Sequence, residues 1–245
     1  MAERFFSPTA AADTPDFTLD GDEARHLARV RRVRKGELVE LFDGQGFAIS
    51  AEVVAVLKDR VQLRQAGPPL PDRTAPISLT LATAVPKGDR FDWLVEKATE
   101  LGVDRLVPLV TERSAVDPRF AKLDRLRRNV IEASKQCGRN RLMRIEPTIP
   151  WTDFLRTQVE NALVCHPSGS HLPVRWKTSK TLDACVTIGP EGGFTEEEVD
   201  AARAVGWGIV SLGETLLRIE TAGIVACVRA LAMADHMTTS EKDVQ

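Results

Sequence analysis

The chain has 245 residues, of which 43% are hydrophobic and 28% charged, with a formal net charge of −2. That length allows one or two domains with a full core, and the near-neutral balance excludes a protein that coats nucleic acid through bulk charge. No apolar run approaches the roughly 18 residues of a membrane span, and the N-terminal "MAERFFSPTAAADTPDF" lacks the core of a signal peptide, so no membrane association and a cytoplasmic location are expected.

The near-neutral total hides a segregation. Residues 25–35, "RHLARVRRVRK", carry Arg25, Arg29, Arg31, Arg32, Arg34 and Lys35 with no acid. Solvated helix faces and a polyanion-binding face are equally compatible with that pattern. From Glu37 to Gln65, "ELVELFDG", "FAISAEVVAVL" and "RVQLRQ" alternate apolar and polar residues between turns, which predicts a small antiparallel sheet or barrel. "AGPPLPDRTAP", residues 66–76, brings four prolines that deprive the backbone of donors, and reads as a linker between domains at 1–70 and 77–236.

Beyond it the pattern changes. "ISLTLATAV" reads as a buried strand, and "RFDWLVEKATELG" puts Phe91, Leu94, Val95, Ala98 and Leu101 on one helical face, ending at Gly102. Glu96 and Glu100, one turn apart with Lys97 between them, read as a surface or interface network rather than an acid–base pair. "VDRLVPLV" is another strand. A helix from about Ala121 to Cys137 is expected to bury Leu123, Leu126, Val130, Ile131 and Ser134 or Cys137, and it lies in a second basic stretch at residues 119–146. Strands follow at "RLMRIEP", "ALVCH" and "DACVTIG", with a helix beginning near Trp151. Thr195 and Glu198 form a capping box for "TEEEVDAARAVG", and "GIVSLG" leads to a last helix from about Thr221 to Ala234. Alternating strands and helices predict an α/β domain with a mostly parallel sheet.

Ligands of such sheets gather at the carboxyl ends of strands, where this chain has "CHPSGS", "GPEGGFTEEE" and "LGETLLRIETAG". None is a dinucleotide fingerprint or a P-loop, and the glycine loop carries Glu191 followed by Glu196, Glu197 and Glu198, which repel phosphate. S-adenosylmethionine suits such loops, having an adenine, a ribose and a cationic sulfonium but no phosphate. Cys137, Cys165, Cys185 and Cys227 form no CxxC pair, and the four histidines show no ligand spacing, so no metal is expected.

"IGPEGGFTEEE" with "LGETLLRIETAG", preceded by "HLARVRRVRKGELVELFDGQG", "PKGDRFDWLVEKATELGV" and "EASKQCGR", resembles the RsmE family of 16S ribosomal RNA uridine-N3 methyltransferases in the SPOUT superfamily. Arg31 and Arg32 depart from it where the family alternates an apolar residue. The resemblance implies an N-terminal PUA-like β-barrel, a C-terminal SPOUT α/β domain with a deep trefoil knot, a homodimer, S-adenosylmethionine as cofactor and the small ribosomal subunit as partner. It places the cofactor on His166 and Pro167, on Ile188, Gly189, Pro190, Glu191 and Gly192, and on Leu212, Gly213, Leu217, Arg218, Thr221 and Ala222.

Methylation at N3 displaces the methyl directly and removes the N3 proton, with no enzyme nucleophile. Arg218 could stabilise the uridine anion, or merely pair with Glu220 or Glu214 to shape its loop. Glu191, Glu220 or bulk water could take the proton. RNA contacts would come from Arg25, Arg29, Arg31, Arg32 and Arg34, with Lys87, Arg113 and Arg139 nearer the target; a plain solvated arginine is the other reading of Arg139. Two alternatives remain: a SPOUT enzyme acting on a ribose 2′-hydroxyl, and a non-catalytic RNA-binding assembly factor, which predicts no cofactor affinity.

Overall fold

A computed structural model describes residues 3–10, 15–72, 77–115, 123–157, 159, 161–170 and 183–242, with only the backbone of Arg29, Val30 and residues 235–242. The end of the expected linker (73–76), the basic residues Arg119 and Lys122 and the predicted helix start at Ala121 lie outside the described residues. The chain divides into two units, Met1–Thr74 with Ile131–Leu142, and Ala75–Val130 with Met143–Gln245.

The first unit is built on a five-stranded sheet of β1 (Arg4–Phe6), β2 (Asp16–Leu19), β3 (Leu38–Phe42), β4 (Ala48–Val56) and β5 (Val61–Pro69), in the order β1-β3-β4-β5-β2. β1 pairs parallel with β3 and the other pairs are antiparallel. Alternation sends Val39, Leu41, Ile49, Val53 and Leu63 inward, where they meet Phe5, Phe17 and Leu27. At the β3–β4 turn Asp43 accepts hydrogen bonds from the amides of Gln45 (2.7 Å) and Phe47 (3.0 Å), closing the turn locally. The proline stretch enters the sheet further than its missing donors suggest: β5 continues to Pro69, which pairs with Ile49 beyond a register shift.

Helix α1 (Gly21–Arg25) continues as a π-helical turn, His26–Val30, which buries Ala24 and Leu27 and carries the first basic stretch. Arg25 pairs with Asp22 and Arg31 with Glu3, whereas Arg32 and Arg34 are exposed with no acidic partner among the described residues. Arg32 has φ 53°, a left-handed conformation that costs a Cβ-bearing residue on the order of 1–2 kcal/mol. Arg32→Gly is therefore expected to hold or slightly raise stability, since relieved strain offsets the freer unfolded chain, while β-branched Arg32→Val loses about 1 kcal/mol. Urea midpoints that moved in the same direction for both variants would contradict this.

The segment Ile131–Leu142 is tied into this unit by backbone bonds from Gly46 N–H to the Asn140 carbonyl (3.2 Å) and from Leu142 N–H to the Gly44 carbonyl (2.9 Å). Arg4 donates to Asn140 Oδ1 (2.5 Å), Asn140 Nδ2 donates to the Pro71 carbonyl (3.1 Å), and Arg141 pairs with Asp72 at 2.7 Å. Arg139 is consequently only 6% exposed, so the reading of it as a plain solvated arginine is corrected: a polar segment closed by backbone bonds has drawn it inside.

The second unit carries a sheet of β6 (Ser78–Ala84), β7 (Arg105–Val110), β8 (Arg144–Ile145), β9 (Ile149–Pro150), β10 (Asn161–Ser170), β11 (Asp183–Ile188) and β12 (Gly208–Val210), in the order β12-β10-β11-β6-β7-β8 with β9 on β7. Every pair is parallel. Buried on both faces, β6 and β11 read as near-continuous apolar runs. Helix α2 (Arg90–Glu100) buries Phe91, Leu94, Val95 and Ala98, and stops where Gly102, at φ 90°, donates to the Thr99 carbonyl (3.1 Å).

Helix α3 (Leu123–Cys137) buries Leu126, Val130, Ala133 and Ser134, but Leu123 is 37% exposed because the buried line starts one turn later. α4 (Trp151–Phe154) and α5 (Glu196–Ala204) flank an aromatic cluster, and α6 (Ile219–Lys242) is longer at both ends than its sequence pattern indicates. No helix among the described residues is long and apolar enough to cross a membrane.

Candidate active site

Because β12, β10 and β11 are parallel neighbours, their carboxyl ends release three loops at one edge of the sheet. Together the loops enclose a cavity of about 670 Å³, within the usual size range of small-ligand sites. The expected cofactor residues His166, Pro167, Ile188, Gly189, Pro190, Glu191, Gly192, Leu212, Gly213, Leu217, Arg218 and Ala222 all line it; Thr221 does not. On α6 the i, i+3 spacing turns Ile219 and Ala222 to the cavity and leaves Thr221 exposed on another face.

The glycine loop is held from beneath and from the side. A Cβ at Gly189 would lie 2.9 Å from Phe194 Cδ2, and the Phe194 ring packs 4.7 Å from Trp151, itself 5.7 Å from Trp207. Gly193 N–H donates to the Pro190 carbonyl (2.8 Å), and the predicted capping box is present, with Thr195 Oγ1 accepting from Glu198 N–H and Glu198 Oε2 accepting from Thr195 N–H. Glu196, Glu197 and Glu198 fill the first turn of α5, so the positive end of that helix is already met by carboxylates. Glu196 and Glu191 both line the cavity, which disfavours a phosphate there.

Sequence reasoning missed the side contacts. Glu198 Oε1 also accepts the Glu112 amide (2.9 Å) and Arg113 Nη1 donates to the Gly192 carbonyl (2.9 Å), so the loop after β7 grips the glycine loop. Thr195→Ala is expected to lose about 1 kcal/mol as a lost cap, and Glu198→Ala about 2 kcal/mol, since it removes the bond to the Glu112 amide as well. Equal losses in urea unfolding would show that the Glu112 bond contributes nothing. Arg229 of α6 steadies the third loop, donating to the carbonyls of Ser211 (3.1 Å) and Leu212 (2.9 Å); nothing in a helical arginine signals this in the sequence.

The remaining candidates are distributed differently. Arg113 and Arg218 line the cavity, while Lys87 is exposed away from it, its carbonyl accepting from Arg90 Nε (3.1 Å). Glu220 is 8% exposed and faces Arg90, with 3.9 Å between Oε1 and Nη1, and among the described residues its Oε2 has no hydrogen-bond partner; it does not line the cavity. Among the described residues no carboxylate pairs with Arg218. Lys97 sits 2.8 Å from both Glu96 and Glu100, whose hydrogen bonds raise its pKa to about 12, a closed surface network outside the cavity.

Burial pushes the Cys165 and Cys185 thiols up to about 12 and raises Cys227 further, so the cysteine that lines the cavity stays a thiol near neutrality and is a poor nucleophile. No group of three or more His, Cys, Asp or Glu among the described residues is placed to hold a metal.

The chain matches the family model for the RNA methyltransferase domain over residues 73–231 and that for the RNA methyltransferase PUA domain over residues 19–65. It is 32% identical to the ribosomal RNA small subunit methyltransferase E of Synechocystis, covering 89% of this chain and 73% of the relative. With the Bacillus subtilis protein of the same name it shares 29% identity, over 87% of this chain and 89% of that one. Among solved structures, the Neisseria gonorrhoeae ribosomal RNA small subunit methyltransferase E, bound to S-adenosyl methionine, matches with a TM-score of 0.84 and 32% identity over 95% of this chain and 98% of that chain. A two-unit chain with a parallel-sheet cavity, matched by both domain models and by relatives along nearly its full length, thus belongs to the ribosomal RNA small subunit methyltransferase E family.

Proposed function

We propose that the cavity binds S-adenosylmethionine and that the protein methylates N3 of a uridine in 16S ribosomal RNA. The observation that carries this reading is the glycine cradle at the carboxyl ends of β10, β11 and β12, shaped for close backbone approach and lined by carboxylates, in a chain that shares its fold with a cofactor-bound relative. When bound, the cofactor supplies an electrophilic methyl on a cationic sulfonium. Glu191, Glu196 and Glu214 on the cavity wall favour that cation, and Leu212 and Leu217 give apolar surface for the adenosine.

The chain's part in the chemistry is to orient the uracil and hold the charge that develops when N3 loses its proton. Arg218 lines the cavity with no carboxylate partner among the described residues and is suited to the uracil O2 and O4. Of the carboxylates considered as proton acceptors, Glu191 lines the cavity and Glu220 does not, which favours Glu191 or solvent. The protonated state of Cys165 agrees with a transfer that needs no covalent enzyme intermediate.

Arg32 and Arg34, exposed within the stretch matched by the PUA domain, are the phosphate contacts favoured in the first unit, with Arg25, Arg29 and Arg31 beside them. Residues 1–70 would then grip RNA and residues 77–236 carry out methyl transfer, in a cytoplasmic homodimer whose catalytic chain is threaded through a trefoil knot. Arg32→Glu is expected to weaken RNA binding, most strongly at low salt, and to make its fall with salt shallower, leaving cofactor affinity unchanged.

Transfer of labelled methyl from S-adenosylmethionine to small ribosomal subunits, followed by nucleoside mass spectrometry, tests the reading. N3-methyluridine is the expected product. A ribose-methylated nucleoside would move the chemistry to the 2′-hydroxyl, and no transfer together with no cofactor binding would leave an RNA-binding factor.

A further inference from the structure

The first of the three loops contains a hydrogen-bond arrangement that fixes the state of one ring. His166 Nδ1 accepts the backbone N–H of Ser168 at 3.3 Å, and Ser168 Oγ lies 2.8 Å from the same nitrogen. A backbone amide can only donate, so Nδ1 presents its lone pair, and in the neutral ring the proton resides on Nε2. The Ser168 hydroxyl rotates to donate to that lone pair as well. His166 lines the cavity while Ser168 does not, and among the described residues Nε2 has no hydrogen-bond partner. Ser168 is itself anchored, because the next residues run beside β12: Ser170 pairs with Val210, and Ser211 N–H donates to the Ser170 carbonyl (3.0 Å).

The surroundings give this donor a use. Glu191, Glu196 and Glu214 on the cavity wall can only accept when ionised, and the Arg113 fork is partly committed to the Gly192 carbonyl. A neutral imidazole donates a hydrogen bond without adding a further positive charge to a cavity that already holds Arg113 and Arg218, which a lysine or arginine in its place would do. We propose that His166 offers a fixed Nε2–H donor to an acceptor oxygen of the ligand in the cavity, with Ser168 as the positioning residue that sets the tautomer. The proposal rests on the methyltransferase reading, under which the acceptor belongs either to the cofactor, as a carboxylate or ribose oxygen, or to the target uracil, as O2 or O4.

The test has two parts. A long-range proton–nitrogen correlation spectrum of the full chain at mildly alkaline pH, with the His166 peaks assigned by their loss in His166→Gln, reads the tautomer directly. An Nε2–H ring is expected, retained in Ser168→Ala, which keeps the donating amide, and shifting toward a mixture in Ser168→Pro, which removes it; a dominant Nδ1–H ring in the unaltered chain would overturn the proposal. Calorimetric binding of S-adenosylmethionine and steady-state turnover on small subunits are then compared in His166→Gln, whose amide reaches the Nε2 position, and in His166→Asn, which reaches only Nδ1.

A loss of about tenfold in Asn, recovered to within about threefold in Gln, is expected. If the loss falls on cofactor affinity the acceptor is on the cofactor, and if it falls on kcat/KM for RNA with cofactor affinity intact it is on the uracil. Gln and Asn behaving alike in both measurements would sink the proposal. Failure of the unaltered chain to bind S-adenosylmethionine would instead defeat the functional reading, with the spectrum still deciding the ring's state.

Discussion

Gly169→Ala is expected to lower the thermal midpoint by roughly 5–10 °C and to abolish measurable binding of S-adenosylmethionine. A Cβ at Gly169 would clash with the carbonyl carbon of Val210 and stand 2.5 Å from its nitrogen and 2.6 Å from its Cα. All three are backbone atoms, so no side chain can turn aside, and the two strands must part. β12 is a three-residue strand whose only sheet neighbour among the described residues is β10, and the bond from Ser211 N–H to the Ser170 carbonyl lies at the point of contact. Overpacking of this kind costs on the order of 1–3 kcal/mol, and a broken backbone bond adds about 1 kcal/mol.

At about 2–4 °C per kcal/mol for a chain of this size, that sum spans about 4–16 °C, and the stated shift is its middle part. The cofactor effect follows from position: Ser211 begins the third loop, so moving β12 moves Leu212, Gly213 and Leu217 out of the cavity wall. Gly67→Ala, with nothing within 4 Å of its added Cβ, is the matched control and is expected to leave both readouts near those of the unaltered chain. A Gly169→Ala variant with normal melting and normal calorimetric affinity would mean that β12 can shift without cost.

That glycine illustrates where sequence reading stops. The helix bearing Phe91, Leu94, Val95 and Ala98, the Thr195–Glu198 capping box and the three loops at strand ends are legible because each signal is local: a period, a four-residue reciprocal bond, a turn after an apolar run. Gly169 carries no such signal, since its need for a bare Cα arises from a strand that follows it by 39 to 41 residues. The same holds for β1 and β2, three and four residues long, whose partners are distant and whose alternation is too brief to stand out.

Arg139 is inside the fold through bonds made by its neighbours rather than by any apolar character of its own. Thr221 and Ala222 differ in exposure because a helix turns about 100° per residue, and the sequence motif that contains both gives no phase. Glu220 and Arg218 share that motif too, yet one faces Arg90 under α2 and the other opens to the cavity. A motif identifies the residues, and the start of α6 decides which of them a ligand meets.

Arg218→Ala is expected to lower the single-turnover rate of methyl transfer by about 10²–10³-fold while changing cofactor affinity by no more than about threefold. The guanidinium lines the cavity with no carboxylate partner among the described residues, so its charge is not already spent on an ion pair. Deprotonating N3 spreads negative charge over two uracil oxygens that did not carry it in the ground state, and a fixed cation beside them lowers the barrier without tightening ground-state binding. Cofactor affinity is expected to survive because the sulfonium gains nothing from a nearby positive charge.

Arg218→Lys keeps the charge but loses the planar fork, and should recover only part of the rate. Glu191→Gln separates the two roles considered for this wall of the cavity: a rate loss that shrinks as pH rises would identify Glu191 as the proton acceptor, whereas a pH-independent loss would leave solvent in that role and Glu191 as support for the cation. Should Arg218→Ala instead abolish cofactor binding while the rate at saturating cofactor stays unchanged, the guanidinium is an anchor for the cofactor carboxylate, and the uridine anion must draw its stabilisation from backbone N–H groups of the glycine loop.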